Sequence, residues 1–419
     1  MKFLYDFIQK FGPLFKKGGK LEKLYPIYEM GEGFMFVLPY RTKTGAHIRD
    51  AIDMKRFMIT VYAALIPAFI FGIFNAGYQH FLSVGIIASV WDMILKGAII
   101  VIPIYLIVLV TGGVWEVLFA VIRKHEINEG FLITSFLIPL IVPPTIPWWQ
   151  LVTATTFGIV IGKEIFGGVG MNIFNPALVA RAFLFFAFPK AMSGNSVWTV
   201  FGEKVVDTYT SATPLAVISV TVSGSGGVIE VLADKGYTLW NMFLGIIPGS
   251  IGETSTLMIL LGLFILLLTK TASWRIVLSI FVGGFAMSTL LNQFAPDPTH
   301  IFALPAHYHF VMGGFAFGAV FMATDPVSSC GTNKGKYVFG FLIGVLAILV
   351  RTLNPAYPEG MMLAILLMNT FAPLIDHFVV QANKKRRLKY ASQYPLYFLL
   401  HHSCNYNLRG TSIDCCLFT

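Results

Sequence analysis

A chain of 419 residues that is 56% hydrophobic and 12% charged has about half the charged share usual in a soluble domain. It is composed to cross a bilayer many times, not to enclose one large core. The formal net charge of +9 fits basic loops on the cytoplasmic side of a membrane, and disorder and nucleic-acid binding are poor readings of it. The four cysteines, Cys330, Cys404, Cys415 and Cys416, form no CxxC pair and no Cys/His zinc spacing. A zinc or iron–sulfur site held by this chain alone is therefore not expected, while a cluster shared with another subunit stays open.

From the N-terminus, Lys2, Asp6, Lys10, Lys16 and Lys17 interrupt the apolar core that a cleavable signal would need. Phe3, Leu4, Phe7, Ile8 and Phe11 recur at helical spacing, which suits a short helix at the membrane interface or one packed on a partner subunit. Residues 1–56 form a cytoplasmic or interfacial segment ending in the charge-dense His47–Arg56. Ten spans are expected, starting near Phe57, Met93, Phe131, Trp149, Pro176, Trp240, Trp274, Phe310, Tyr337 and Pro358. The sixth is interrupted by Pro248–Glu253, so its membrane part is mainly Leu257–Leu268. Non-helical backbone at that depth is tolerable only when buried in protein or lining a cavity.

This divides the chain into a first five-helix repeat at 57–189, an external loop at 190–237, a second five-helix repeat at 238–383 and a basic cytoplasmic tail at 384–419. The central loop is rich in Gly, Ser and Thr. With both termini inside, twenty-four Lys and Arg, Lys163 among them, fall on the inner side against five on the outer, Arg351 among them, with Arg181 inside a span, and this bias places the loop outside the cytoplasm. An internal repeat supports the division. Ile173–Leu178 recurs as Thr352–Tyr357, each an Asn-Pro-Ala turn opening the last span of its half, and Gly130-Phe131 and Gly314-Phe315 precede spans three and eight. Five spans per half is an odd number, so equivalent spans cross in opposite directions. The fold class expected is an all-α polytopic membrane protein of ten transmembrane helices in two inverted-topology repeats, an arrangement that places ion and substrate sites near mid-membrane.

Several residues could carry chemistry. Glu116, Glu129, Asp325 and Asp376 lie in or near apolar spans, where an acid costs roughly 2.5–3.5 kcal/mol even on a lenient scale and usually lines an ion path or pairs with a base. Blander readings exist: Asp325, in Thr324-Asp325-Pro326, could cap a helix, and Asp376-His377 could be an interfacial pair. Gly112-Gly113 permits close helix packing or a flat ligand against backbone. Phe317 and Phe321 share a helix face and could form an apolar constriction or simply pack. The Asn-Pro-Ala turns free carbonyls and helix N-termini that could face an ion, or are structural kinks. Thr213, in a Ser/Thr-rich loop, carries no signal from spacing alone.

The stretches KLYPIYE, HIRDAIDMKRFMIT, HEINEGFLITSFLIPLIVPPTIPWWQ, KEIFGGVGMNIFNPALVARAFLFFAFP, IPGSIGETSTL, FMATDPVSS and VRTLNPAYPEGMMLAILLMNTFAPLIDHFVV together resemble a membrane-subunit family. It contains the NqrB subunit of bacterial Na+-translocating NADH:quinone oxidoreductases and its paralogue, the RnfD subunit of Rnf complexes. The first two stretches favour the Na+-pump branch. The resemblance implies one subunit of a six-subunit complex in the bacterial inner membrane. It implies FMN attached through a phosphoester to a threonine by a flavin transferase, a share in the riboflavin and quinone sites, and outward Na+ movement. The family's flavinylation motif, Ser-Gly-Ala-Thr, corresponds here to Thr210-Ser211-Ala212-Thr213, with Ser at the glycine position, which names Thr213 as the FMN acceptor. Glu116, Asp325 and Asp376 match acids implicated in Na+ uptake, Gly112 and Gly113 match glycines of the quinone site, and Phe317 and Phe321 match a constriction on the ion path. Residues beyond about Gln393 carry no family pattern.

Two rival readings follow from the sequence. One is an RnfD-type subunit of a ferredoxin:NAD oxidoreductase. The other is an inverted-repeat transporter without redox role, which would carry no covalent flavin. The NADH site belongs elsewhere, since no GxGxxG follows a strand here.

Overall fold

The computed structural model describes residues 2–15, 54–123, 130–202, 205–206, 209–220, 227–354 and 359–393, together with Gly19, Leu21, Tyr25 and Tyr28. Glu129, Lys204, the charged stretch before Met54, the second Asn-Pro-Ala turn beyond Asn354 and the tail beyond Gln393 lie outside the described residues. Every regular element described is helical. After the amphipathic α1 (Lys2–Phe15) come α2 (Met54–Val84), α3 (Val90–Arg123), α4 (Gly130–Leu140), α5 (Trp148–Val160), α6 (Pro176–Ala187) and α7 (Pro189–Met192). Three short helices follow, α8 (Pro214–Val220), α9 (Val228–Asp234) and α10 (Leu239–Leu244). The second half holds α11 (Thr256–Leu268), α12 (Trp274–Gln293), α13 (Ala306–Val311), α14 (Phe315–Phe317, continued by a π turn over Gly318–Met322), α15 (Asn333–Leu353) and α16 (Met361–Gln393). Five of these, α2, α3, α12, α15 and α16, are long and apolar enough to cross a membrane, and α4, α6 and α11 are shorter apolar helices.

Glycine sets the closest crossings. A Cβ on Gly77 of α2 would lie 1.8 Å from the Met93 carbonyl oxygen of α3, and one on Gly97 would lie 1.8 Å from that of Ile73. In the second half, Gly283 of α12 and Gly344 of α15 stand in the same relation to the carbonyl oxygens of Phe341 and Ile280, at 2.2 and 2.1 Å. In lipid, where apolar side chains gain little by meeting one another, such backbone-to-backbone approach supplies much of the packing energy. Helix α2 also packs on α11, which joins the two halves.

The spans expected from Phe131 and Phe310 are not continuous helices. Helix α4 has 11 residues, about 16 Å of rise against ~30 Å of hydrocarbon. Pro143, Pro144 and Pro147 stop its continuation, because proline has no N–H to donate. The exposed carbonyls are answered from the other half: Gly252 N donates to Leu140 O at 2.7 Å and Ile251 N to Val142 O at 3.3 Å. The interruption before α11, anticipated at Pro248–Glu253, thus hydrogen-bonds to the interruption after α4. Span eight breaks at Met312–Gly314, where Gly313 has φ +62°, and resumes as the short α14. Interrupted helices that face protein rather than lipid satisfy the rule that every backbone polar group at membrane depth needs a partner.

The described residues of 190–237 include packed helices that a Gly/Ser/Thr-rich loop does not suggest. Leu215 and Ile218 of α8 and Val228 and Leu232 of α9 sit at helical spacings and close over a small core with Tyr237 and Met242. Val206 N donates to Ser83 O at 3.0 Å, Thr145 Oγ1 to Val197 O at 2.6 Å and His80 Nδ1 to Val200 O at 2.6 Å. Val197, Val200 and Val206 are therefore seated on the segment after α4 and on the end of α2.

Candidate functional site

Thr213 stands immediately before α8. Its Oγ1 accepts Ala216 N at 3.2 Å and its carbonyl accepts Val217 N at 3.0 Å, so Thr213 caps the helix. The neighbouring hydroxyls are committed: the Ser211 hydroxyl is buried and donates to Asn195 O, and Thr210 Oγ1 accepts Ala212 N at 3.3 Å. The Tyr237 hydroxyl donates to Ala212 O at 2.6 Å and is held well above the usual phenol range by burial, so it remains a donor. Thr213 itself is half-buried. Its oxygen accepts one bond and would still accept it as an ester oxygen, so the residue fits a phosphoester. Nearby, Tyr209 OH donates to Gln79 Oε1 at 2.9 Å, Gln79 Nε2 to Asn75 Oδ1 at 3.3 Å and Asn75 Nδ2 to Ile247 O at 2.9 Å. This polar ladder runs from the segment just before Thr213 into α2 and the interruption before α11.

At the opposite end of the helices lies a cavity of about 80 Å³ between the halves. Lys163, Asn175 and Pro176 of the first half line it, facing Phe321, Thr324 and Asp325 of the second. The first Asn-Pro-Ala turn thus reaches this cavity, and Asn175 also caps α6 by accepting Ala177 N at 3.0 Å. Asp325 accepts Val327 N at 3.2 Å and the Ser328 hydroxyl at 2.8 Å, a local cap that is also a cavity wall. Glu116 is buried and paired with Lys163 Nζ, which lies 3.6 Å from Glu164 Oε1. Arg123 holds the other oxygen of Glu164 at 3.0 Å and its carbonyl at 2.6 Å. Lys163, read from sequence as an inner-loop charge, is instead 2% exposed. Asp376 is elsewhere, on α16, where it accepts Gly331 N at 2.7 Å, Thr332 N at 3.1 Å and Thr332 Oγ1 at 2.5 Å. It anchors the loop at Gly331 and Thr332. Among the described residues no three His, Cys, Asp or Glu side chains converge as a metal cage, so the three acids do not share one site.

Phe317 and Phe321 face each other with ring centroids 5.1 Å apart, and Phe321 forms part of the cavity wall. Phe321 is wedged toward Gly262 of α11, where a Cβ would meet its ring at 2.6 Å. The two glycines of α3 differ. A Cβ on Gly112 would strike Phe131 at 2.6 Å and Ile159 at 2.8 Å, whereas one on Gly113 would rest at an ordinary 3.7 Å from Phe131. Gly112 is a packing glycine. Gly113 opens onto a shallow apolar groove with Val114, Val117, Leu118 and Val121.

Sequence reasoning missed the buried ion pair of Arg181 and Glu253, whose Nη1 and Oε1 are 2.5 Å apart. A cation inside a span demands an acid, and the acid in the interruption before α11 was the available one. Arg351, counted as an outer-loop charge, is also buried, and donates to the carbonyls of His309 at 2.7 Å and Met312 at 3.2 Å.

Residues 41–385 match the model of the NQR2, RnfD, RnfE family. The chain belongs to this family. It is 51% identical over 405 residues to the NqrB subunit of the Na(+)-translocating NADH-quinone reductase of Stutzerimonas stutzeri (strain A1501), covering 91% of this chain and 98% of that protein. The subunits of the same description from Ectopseudomonas mendocina (strain ymp) and Azotobacter vinelandii (strain DJ / ATCC BAA-1303) are likewise 51% identical over 405 residues, with the same coverage. Within the family these relatives fall on the reductase side of the division anticipated from the N-terminal stretches.

Proposed function

We propose that this chain is the NqrB membrane subunit of a Na+-translocating NADH:quinone reductase in a bacterial inner membrane, with ten spans in two inverted halves and both termini cytoplasmic. The observation that carries the reading is the near full-length match to proteins so described. Thr213 would hold FMN as a phosphoester on the outer side, attached by a flavin transferase. The flavin would supply electron transfer there, while this chain's residues bind and orient it. Seating of Val197, Val200 and Tyr209 on the segment after α4 and on α2 supports this role, since it fixes the chain leading to the acceptor against the membrane domain. Riboflavin and part of the quinone site would also belong to this subunit, with the Gly113 groove as the quinone-side surface. NADH would be oxidised on another subunit of a six-subunit assembly.

On the ion path, Asp376 would serve the inner approach, Asp325 the cavity between the halves and Glu116 the buried station, with Phe317 and Phe321 as the apolar constriction. Carboxylates at membrane depth suit partial replacement of the hydration shell of a small hard cation. The test of the reading is in-gel fluorescence of the denatured protein, wild type against Thr213→Ala. A fluorescent wild-type band that disappears in the variant supports it, and a wild type without covalent flavin sinks it.

A further inference from the structure

We propose that Lys163 is a tethered counter-cation of the ion path: its ammonium occupies the Glu116 carboxylate until Na+ takes that carboxylate, and then moves to Glu164 and the cavity that carries Asp325. The inference rests on the proposed Na+ role of Glu116 and adds a residue to it.

The cluster of Glu116, Glu164, Lys163 and Arg123 holds two anions and two cations and is neutral as it stands. The Lys163, Glu116 and Glu164 side chains are 2%, 5% and 2% exposed. A sodium ion arriving at Glu116 with the ammonium in place would lie against a like charge in a poorly solvated site, which is unfavourable, and the Asp325 carboxylate at the cavity is the further anion toward which the ammonium can withdraw. Uptake at Glu116 therefore requires Lys163 to give way. The structure supplies both the place and the means. Glu164 Oε1 lies 3.6 Å from Nζ, and Glu164 stays put because Arg123 grips its other oxygen and its carbonyl. Lys163 also forms part of the wall of the cavity of about 80 Å³, together with Asp325, Thr324 and Asn172, so the ammonium has polar company on the side away from Glu116. The lysine stem is flexible and its charge compact. Asp325 belongs to the opposite half, and its carboxylate, with about four lone-pair sites, retains acceptor capacity beyond its bonds to Val327 and Ser328. Displacement of one side chain thus connects ion occupancy in the first half to charge at the interface with the second. A purely structural ion pair would need neither the second acid within reach nor the cavity at the ammonium's side.

The test is the Na+ dependence of quinone reduction in membranes holding the assembled complex, with covalent flavin fluorescence as the check on assembly. Lys163→Met removes the competitor and leaves an apolar stem, so half-saturating Na+ should fall about tenfold, because one opposing charge at contact distance is worth at least that much. Lys163→Arg keeps the charge on a stiffer head and should leave the requirement at the wild-type value or above it. If Lys163→Met does not assemble, Lys163→Met/Glu164→Gln retains one anion and one cation in the cluster and should show the same fall. An assembled neutral variant with unchanged or higher half-saturating Na+ overturns the proposal, as does failure of both neutral variants to assemble, which would make the lysine structural. A wild type that shows no Na+ stimulation would instead overturn the functional reading beneath it.

Discussion

Arg181 on α6 and Glu253 in the interruption before α11 meet at 2.5 Å in the protein interior, so a buried ion pair joins the first half to the second. Glu253 also sits beneath Gly314, where a Cβ would come within 2.7 Å of its Oε1, so the start of α14 is packed on the same pair. Removing one member breaks a buried pair, a loss of about 3–5 kcal/mol. Arg181→Met and Glu253→Gln should each lower the melting temperature of the detergent-solubilised complex markedly. Arg181→Met/Glu253→Met should melt closer to wild type than Arg181→Met does. Equal melting of Arg181→Met and wild type would show that the pair does not hold the halves together.

Much of this arrangement was legible in the sequence because hydrophobic length and punctuation have direct physical meaning. Pro248–Glu253 marked an interruption, and Asn175-Pro176 marked a helix start. The half-length of α4 was missed by reading hydropathy over punctuation: Ile141, Val142 and Ile146 prolong the apolar run of Gly130–Leu140, while Pro143, Pro144 and Pro147 mark its end as a helix. Hydropathy cannot distinguish a helix from a buried extended strip whose carbonyls are paired from another segment. The burial of Lys163 and Arg351 was hidden for a related reason: charge counting reads every basic residue near a span end as a loop residue, and only partners across the fold show otherwise.

Covalent flavin should depend on the Thr213 hydroxyl. Thr213→Ser should keep part of the in-gel fluorescence, because serine retains both the attacking oxygen and the capping acceptor for Ala216 N. Thr213→Ala should lose it all, with a helix-cap loss of about 1 kcal/mol that is small for a complex of this size. Fluorescence persisting in Thr213→Ala would move the acceptor to another residue.

The two glycines of α3 should separate packing from ligand contact. Gly112→Ala puts a methyl group 2.6 Å from the Phe131 ring and should lower assembly, with overpacking in the range of about 1–3 kcal/mol. Gly113→Ala meets only ordinary contacts and should assemble normally. Gly113→Val fills the groove beside Val114 and Val117 and should raise the apparent quinone KM several-fold, with covalent flavin unchanged. A Gly113→Val complex with wild-type quinone kinetics would remove this groove from the quinone site.

Asp325 and Asp376 differ in what an amide would do, and that difference makes one of them the cleaner probe of Na+ handling. Asp325 accepts Val327 N and the Ser328 hydroxyl. An asparagine there can still accept from Val327 N, and the hydroxyl can turn to accept from the new amide NH2, since it serves as donor or acceptor. Asp325→Asn should therefore keep the wild-type melting temperature and raise the Na+ concentration for half-maximal quinone reduction, with partial recovery of rate at saturating Na+. Asp376 accepts only from donors: two backbone N–H groups and the Thr332 hydroxyl. An amide NH2 would face at least one of them, so Asp376→Asn should lose about 1.5–3 kcal/mol of stability in addition to any change in Na+ dependence. Asp234→Asn, at the exposed end of α9, is the control and should change neither quantity. Wild-type Na+ dependence in a stable Asp325→Asn complex would make that carboxylate a helix cap and nothing more.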